Sequence, residues 1–276
     1  AAQLLGALAS GSLRPALKPE LNAALLLAPD GKLAIPVRVA LPAKSVGFVK
    51  DKNSYRAGFT LVLAGFDRLN HLVSVHQRFV TLNLDQKQRK EFERKTLDVN
   101  ARLAVPRLEP LEIEAILQFA DGTVALARRE IAVGKTSASG LRLTSLLLSD
   151  DVQPASGPAD PSDPLRGPNF ELHIPMQPQF SPADKLTVYF GVLEDSLAPA
   201  SALPRVRLTY AIKSGGTVVE SLPPEEVGGA PSGTQMLVFK QLDLRNLHSG
   251  TYTLEVKAED LNHRGTVSEV AEFTVS

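Results

Sequence analysis

Residues 247–258 read Leu-His-Ser-Gly-Thr-Tyr-Thr-Leu-Glu-Val-Lys-Ala, a turn followed at once by a strand with one apolar face. Tyr252, Leu254 and Val256 alternate with Thr251, Thr253, Glu255 and Lys257, the period of two that turns every second side chain toward a core. Gly250 is expected to take the positive φ of the corner, a conformation that residues with a Cβ avoid. A Leu-x-x-Gly-x-Tyr entry of this kind predicts a tyrosine corner, with the Tyr252 ring buried and its hydroxyl bonded to backbone upstream. The motif specifies an architecture and names no reaction.

The same period recurs along the chain. Leu33, Ile35, Val37, Val39 and Leu41 form one alternating set, Phe59, Leu61 and Leu63 another, and residues 71–84, 97–105, 111–119 and 124–133 add further strands. Asp30-Gly31 and Asp121-Gly122 lie between such runs and predict type I′ hairpin turns. Two segments depart from the pattern. Leu4, Leu5 and Leu8 have helical spacing, and residues 85–95 are helix formers behind a candidate N-cap, Asp85.

Residues 134–140 are small, polar and unpatterned, which places a domain boundary there. Beyond it, eight short strands are expected at residues 141–148, 170–174, 185–193, 206–212, 217–222, 235–244, 252–260 and 267–275. Residues 152–169 hold five prolines and two glycines, predicting an extended loop without ladder hydrogen bonds. The reading is an all-β chain of two tandem immunoglobulin- or fibronectin III-like sandwiches. Residues 1–15 form a short helix and linker, 16–136 the first sandwich with its helical insertion, and 137–276 the second.

Composition removes several classes of function. Thirty Lys and Arg balance thirty Asp and Glu, leaving no net field to gather nucleic acid or anionic lipid. The absence of cysteine excludes disulfides, thiolate metal sites and cysteine nucleophiles. The longest apolar runs, residues 23–28 and 141–148, fall far short of the roughly 20 residues of a membrane helix. The first six residues carry no basic n-region and are expected to be a mature or truncated start. No nucleophile elbow, phosphate-binding loop, zinc-protease helix or dinucleotide motif occurs, so a non-enzyme without a cofactor is expected.

Carboxylates offer the remaining chemistry. Asp150, Asp151, Asp160 and Asp163 lie in the proline-rich stretch, where oxygen ligands for calcium could gather; the simpler reading is aspartates that start turns. Glu259-Asp260-Leu261-Asn262 is a second acidic spot of the same kind. His71, His76, His173, His248 and His263 are scattered, and the spacing of His71 and His76 puts them on opposite faces of a strand. Lys87, Arg89, Lys90, Arg94 and Lys95 read as a solvated helix face diluted by acids. Tyr55, Phe48 and Phe59 make the nearest approach to an exposed aromatic group.

Several of these pieces together carry a resemblance. Leu4-Leu5-Gly6-Ala7-Leu8-Ala9-Ser10, the strand pair around Pro29-Asp30-Gly31-Lys32, Thr81-Leu82-Asn83-Leu84 before a charged helix, and the run from Leu141 to Ser149 appear in order. Phe180-Ser181-Pro182-Ala183-Asp184-Lys185-Leu186-Thr187-Val188-Tyr189-Phe190 and the closing Gly250-Thr251-Tyr252 follow. The series resembles the C-terminal β-sandwich region of exported bacterial von Willebrand factor type A-related and GWxTD-domain proteins. Two features depart from those families: the first sandwich has Glu109-Pro110-Leu111-Glu112-Ile113 where a Gly-x-Tyr corner would stand, and no Asp-x-Ser-x-Ser metal motif is present. The resemblance implies an extracytoplasmic location and an accessory role. The expected function is a non-catalytic protein-interaction or spacer module, whose partner is another protein or a neighbouring domain of the same polypeptide. The alternatives are a carbohydrate- or surface-polymer-binding module, and an enzyme or calcium-dependent module using the junction carboxylates.

Overall fold

The computed structural model describes residues 2–158, 160–194, 205–228 and 235–276; Ala1, at the head of the expected helix, lies outside them. Among the described residues the chain is all-β apart from two short α-helices and one 3-10 turn. It divides into two compact units. One comprises Ala1–Ala23, Pro36–Val105 and Pro110–Ile131, and the other Ala24–Ile35, Pro106–Glu109 and Ala132–Ser276.

In the first unit, β5 (Ser54–Phe66) is central. It pairs antiparallel with β6 (Leu72–Leu84) on one side and with β8 (Leu111–Phe119) on the other, and β9 (Val124–Ile131) pairs β8. The short β4 (Val49–Asp51) forms a hairpin with the start of β5. A second sheet is built on β3 (Leu33–Pro42), flanked by β1 (Glu20–Ala23) and β7 (Thr96–Val105). At the sheet margins β1 lies beside β9 and β6 beside β7, closing a sandwich. Phe59, Leu61 and Leu63 share one face with their partners Phe119, Leu117 and Ala115, and all six are buried.

The opposite face of β5 is also apolar, because α1 (Ala2–Ala9) covers it. Leu4 packs against Val62, Ile116 and Val124, with Leu5, Leu8 and Leu13 beside it. The second helix, α2 (Gln86–Phe92), starts as Asp85 predicts. Asp85 accepts from the Gln88 amide at 2.8 Å, and the Gln88 side chain accepts from the Asp85 amide at 2.9 Å, a reciprocal capping box.

Both hairpin turns depart from type I′ in the same way. Gly31 (φ 81°) and Gly122 (φ 86°) have positive φ while Asp30 and Asp121 do not. The amides of Gly31 and Gly122 donate to the carbonyls of Ala28 and Phe119, three residues back. Each loop is therefore a three-residue connection in which a β-turn is followed by a left-handed glycine. Pro29 favours this form, since its fixed φ suits the first central position of a type I turn.

Among the described residues, the second unit is built on a four-stranded and a six-stranded sheet. In one, β15 (Lys185–Glu194) pairs with β19 (Gln235–Asp243) on one side, and on the other with β10 (Leu141–Leu143) and then β11 (Leu147–Ser149). The other has the order β14 (Gln179–Phe180), β21 (Thr266–Val275), β20 (Gly250–Asp260), β16 (Arg205–Ser214), with β17 (Thr217–Ser221) and β18 (Glu225–Gly228) both pairing β16. The core between them includes Leu186, Val188 and Phe190 from β15, Leu208 and Tyr210 from β16, and Leu254 and Val256 from β20.

Three expectations are corrected here. The run 141–148 is two strands, because Thr144 and Ser145 leave the ladder; Thr144 Oγ1 accepts from the Gly191 amide and Ser145 exchanges bonds with Leu25. The proline-rich stretch does carry ladder pairing, as β12 (Val152–Pro154) pairs with β13 (Phe170–Leu172). Pro154 is tolerated because it ends its strand. Finally, Gly250 does not have positive φ; it is extended and pairs with Val275 as the first residue of β20. The turn precedes it, where the Leu247 amide donates to the Leu244 carbonyl.

The corner itself is present. Tyr252 is 7% exposed, stacks on Phe273 with ring centroids 5.6 Å apart, and donates its hydroxyl to the His248 carbonyl at 2.7 Å. Tyr252→Phe keeps the ring and removes that bond, so urea denaturation is expected to show a loss of about 1 kcal/mol with an unchanged m-value. A loss below about 0.3 kcal/mol would mean that the hydroxyl does not hold the corner.

Candidate functional site

At one end of the second unit a short loop is wound around a single carboxylate. Asp260, the last residue of β20, has no exposed surface. Its Oδ1 accepts from the Asn262 amide at 2.8 Å and the His263 amide at 3.0 Å, and its Oδ2 lies 3.1 Å from His263 Nδ1. The Ser139 hydroxyl donates to the same carboxylate. The backbone of Asp260 completes the wrap, its amide donating to Gly265 and its carbonyl accepting from Arg264. Burial raises the pKa of Asp260, but these donors outweigh it and hold the carboxyl below its ordinary value.

Glu194 ends β15 and is 2% exposed. Its Oε1 lies 3.5 Å from His263 Nδ1, so one partly exposed imidazole faces two buried carboxylates. Glu194, Asp260 and His263 each bring a ligand atom within 4.8 Å of the others, the donor types of a hard or borderline cation site. With Nδ1 protonated, however, the ring itself bridges the carboxylates and closes the loop. Ser139 and His263 both bond to Asp260.

The four aspartates proposed as calcium ligands do not form such a group among the described residues. Asp151 pairs with His173 at 3.1 Å and accepts from Gln153, Asp160 accepts from the Ser162 amide and hydroxyl, and Asp163 accepts from the Leu165 amide. Asp150 is exposed. Asp160 and Asp163 thus hold backbone close to themselves in sequence, whereas Asp151 is engaged by the side chains of Gln153 and His173. Asp260 did lie in a segment flagged from sequence, but Glu194 and His263 did not. Their signals are a lone acid closing the apolar run 186–193 and a histidine three residues after Asp260.

The other candidates also take structural roles. Phe59 is buried against Phe119, and Phe48 packs edge-on to Phe92 at 5.7 Å. Arg89, from the basic run on α2, lies 4.6 Å over the Tyr55 ring and pairs with Glu93 at 2.6 Å. His71 pairs with Asp67 in the turn before β6, whereas His76 lies within β6 opposite Leu63. In the second unit, Glu225 on β18 accepts from the Tyr210 hydroxyl and from Lys240 Nζ, both at 2.6 Å. Because Lys240 belongs to β19, this cluster joins the two sheets. Burial and the facing carboxylate push the Tyr210 pKa far up; burial also raises Glu225, but its donors hold it below the ordinary range.

A second carboxylate grips the segment ahead of β10. Glu269 on β21 accepts from the Gly134 amide, yet burial pushes its pKa up to about 7. Among the described residues no helix is long and apolar enough to cross a membrane.

No protein-family model matches the sequence, and no curated protein matches it. Among solved structures, a transglutaminase of red sea bream is similar over 98% of this chain and 33% of its own, at 14% identity and TM-score 0.28. A calcium-binding mutant of β-glucuronidase 2 from Bacteroides uniformis is similar over 87% of this chain and 26% of its own, at 12% identity and TM-score 0.30. The chain thus spans a third or less of the length of either protein.

Two outcomes are expected. Asp260→Ala strands the loop donors and should lower stability by about 2–4 kcal/mol in urea unfolding, with the deficit shrinking as pH falls through the depressed pKa of Asp260. A deficit that stays constant to the lowest accessible pH would mean the ionised carboxylate is not what holds the loop. For Glu269 the sign is opposite: folded pKa exceeds unfolded pKa, so its folded form gains from protonation and loses stability as pH rises from about 4.5 to 7. The melting temperature of Glu269→Gln relative to the parent should therefore rise between pH 5 and pH 8, and a flat difference would contradict the burial of that carboxyl.

Proposed function

We propose that the chain is a non-catalytic, extracytoplasmic protein-interaction or spacer module of immunoglobulin-like sandwiches, accessory to a larger exported protein. The strand order of the second unit, with a tyrosine corner entering β20, supports the immunoglobulin-like description. The observation that carries the interaction role is the exposed apolar surface of β6 in the first unit. On β6, Leu72 is 49% exposed, Val75 44% and Phe79 68%, on a strand that pairs only with β5 among the described residues. The buried Asp260 and the half-buried Glu225 favour the same reading, since both are engaged by donors that hold loops and sheets together.

A carbohydrate platform is less well supported. Such a site stacks a sugar on an open ring, but Arg89 occupies the Tyr55 face and Phe92 abuts Phe48. Photo-crosslinking in the source cells tests the proposal, with the reactive residue placed at Gln77 on β6 or at Glu272 on β21 as a control. A discrete polypeptide adduct from Gln77 and none from Glu272 is expected. A glycan adduct, or equal labelling from both positions, refutes the proposal.

A further inference from the structure

We infer that the contact between Glu269 and Gly134 is a pH-operated latch, holding residues 132–136 against the second unit while the carboxyl is protonated and releasing them when it ionises. Three observations within that unit carry this.

The first is where the carboxyl stands. On β21, Val267, Phe273 and Val275 belong to the core between the sheets, and Ala271 packs against it. Glu269 falls in the same alternating set, opposite the fully buried Val256 of β20, so a strand position suited to an apolar side chain holds an acid. The second is the grip. The carboxyl accepts from the Gly134 amide, and a Cβ at Gly134 would lie 2.5 Å from Glu269 Oε2 and 3.3 Å from the Ser268 carbonyl oxygen. Only glycine lets the segment come so near. The third is how little else holds the segment. Among the described residues, no backbone-to-backbone hydrogen bond of residues 132–136 is found. From Ser137 onward the chain is fixed, its amide donating to the Leu141 carbonyl and the Ser139 hydroxyl donating to Asp260. The last segment of the first unit ends at Ile131, so the latch acts on the stretch that follows it.

Burial pushes the Glu269 pKa up to about 7, opposed by the Gly134 and Val270 amides and with no contribution from another charge. Charged groups on the surrounding elements are turned elsewhere. Glu255, Lys257 and Glu259 take the other face of β20, Glu272 the other face of β21, and Arg142 the face of β10 opposite the core residues Leu141 and Leu143. Lys135 is exposed, and β11 and β14 carry no charge. Asp260, with His263 and Glu194 beside it, engages the chain further on, at Ser139. Released into water, the Glu269 carboxyl titrates as an ordinary glutamate. Closure therefore takes up a proton, and the open fraction rises as pH climbs from about 4.5 to about 7. The opening is local, because the released residues belong to no ladder.

Trypsin cleavage after Lys135 reports the release, with the rate at each pH normalised to that of a synthetic peptide of residues 132–140. In the parent the normalised rate is expected to rise about tenfold between pH 6 and pH 8. Glu269→Gln is neutral at every pH and still accepts from Gly134, so it should stay at the slow rate throughout. Gly134→Ala displaces the carboxyl and should be cleaved about fivefold faster than the parent at pH 6. Melting temperatures verify that both variants fold, and amide exchange at Leu254 and Val256 in β20 monitors the rest of the unit. A parent rate that does not change with pH would overturn the inference. An equal rise in Glu269→Gln would also do so, assigning the effect to another group such as His263. A parallel rise in exchange at Leu254 and Val256 would replace the latch with unfolding of the whole unit.

Discussion

A strand buried on both faces must be covered twice, and β15 imposes this requirement on the second unit. Leu186, Val188, Phe190 and Val192 point into the core between the sheets. The alternate set is buried too, and Tyr189 lies in a second cluster with Leu26, Leu147, Leu172 and Ile174. Leu26 comes from the hairpin in Ala24–Ile35, Leu147 from β11, and Leu172 and Ile174 from β13 and the segment after it, so segments distant in sequence become part of one unit. Gly191 makes the approach possible, since a Cβ there would lie 2.7 Å from the Leu27 Cβ. The cover is imperfect. Among the described residues the Tyr189 and Thr187 hydroxyls are buried without a hydrogen-bond partner, and the Tyr189 pKa is pushed up to about 12, by burial first and then by Asp163. An unmet phenol of this kind costs about 1–3 kcal/mol, tolerated because its ring packs against Phe170.

The carboxylates show a related constraint. A buried charge is tenable only when donors replace its water, and Asp260 meets that condition through the loop that follows it, while the half-buried Glu225 is engaged by Tyr210 and Lys240. The result is a second unit whose strand ends are held by side-chain chemistry. In the first unit, apolar surface remains open along β6. Held strand ends and one exposed apolar surface are the combination on which the interaction-module reading rests.

Much of this was legible residue by residue. Period-two alternation located β5, β8, β16 and β20, and the Asp85 box and the Tyr252 corner formed where short-range stereochemistry predicts them. Local rules failed where two backbones fitted one side chain set equally well. Asp-Gly suits a type I′ turn and a three-residue loop alike, and the proline at position 29 tips the first hairpin toward the latter. Likewise Gly250 reads as a corner glycine, whereas the turn closes three residues earlier through the Leu247 amide.

By itself, the sequence determined the all-β class, the longer strands, the helix cap, the corner and the lack of thiol chemistry, because each depends on residues within a few positions of one another. The tertiary structure decided what covers β15, why Asp150, Asp151, Asp160 and Asp163 stay apart, and why Glu194, Asp260 and His263 meet. It also decided that β6, which reads like any other strand, has β5 as its one ladder partner among the described residues. Period and propensity describe a strand's two faces, but its edges are defined only by the neighbours that the fold places beside it.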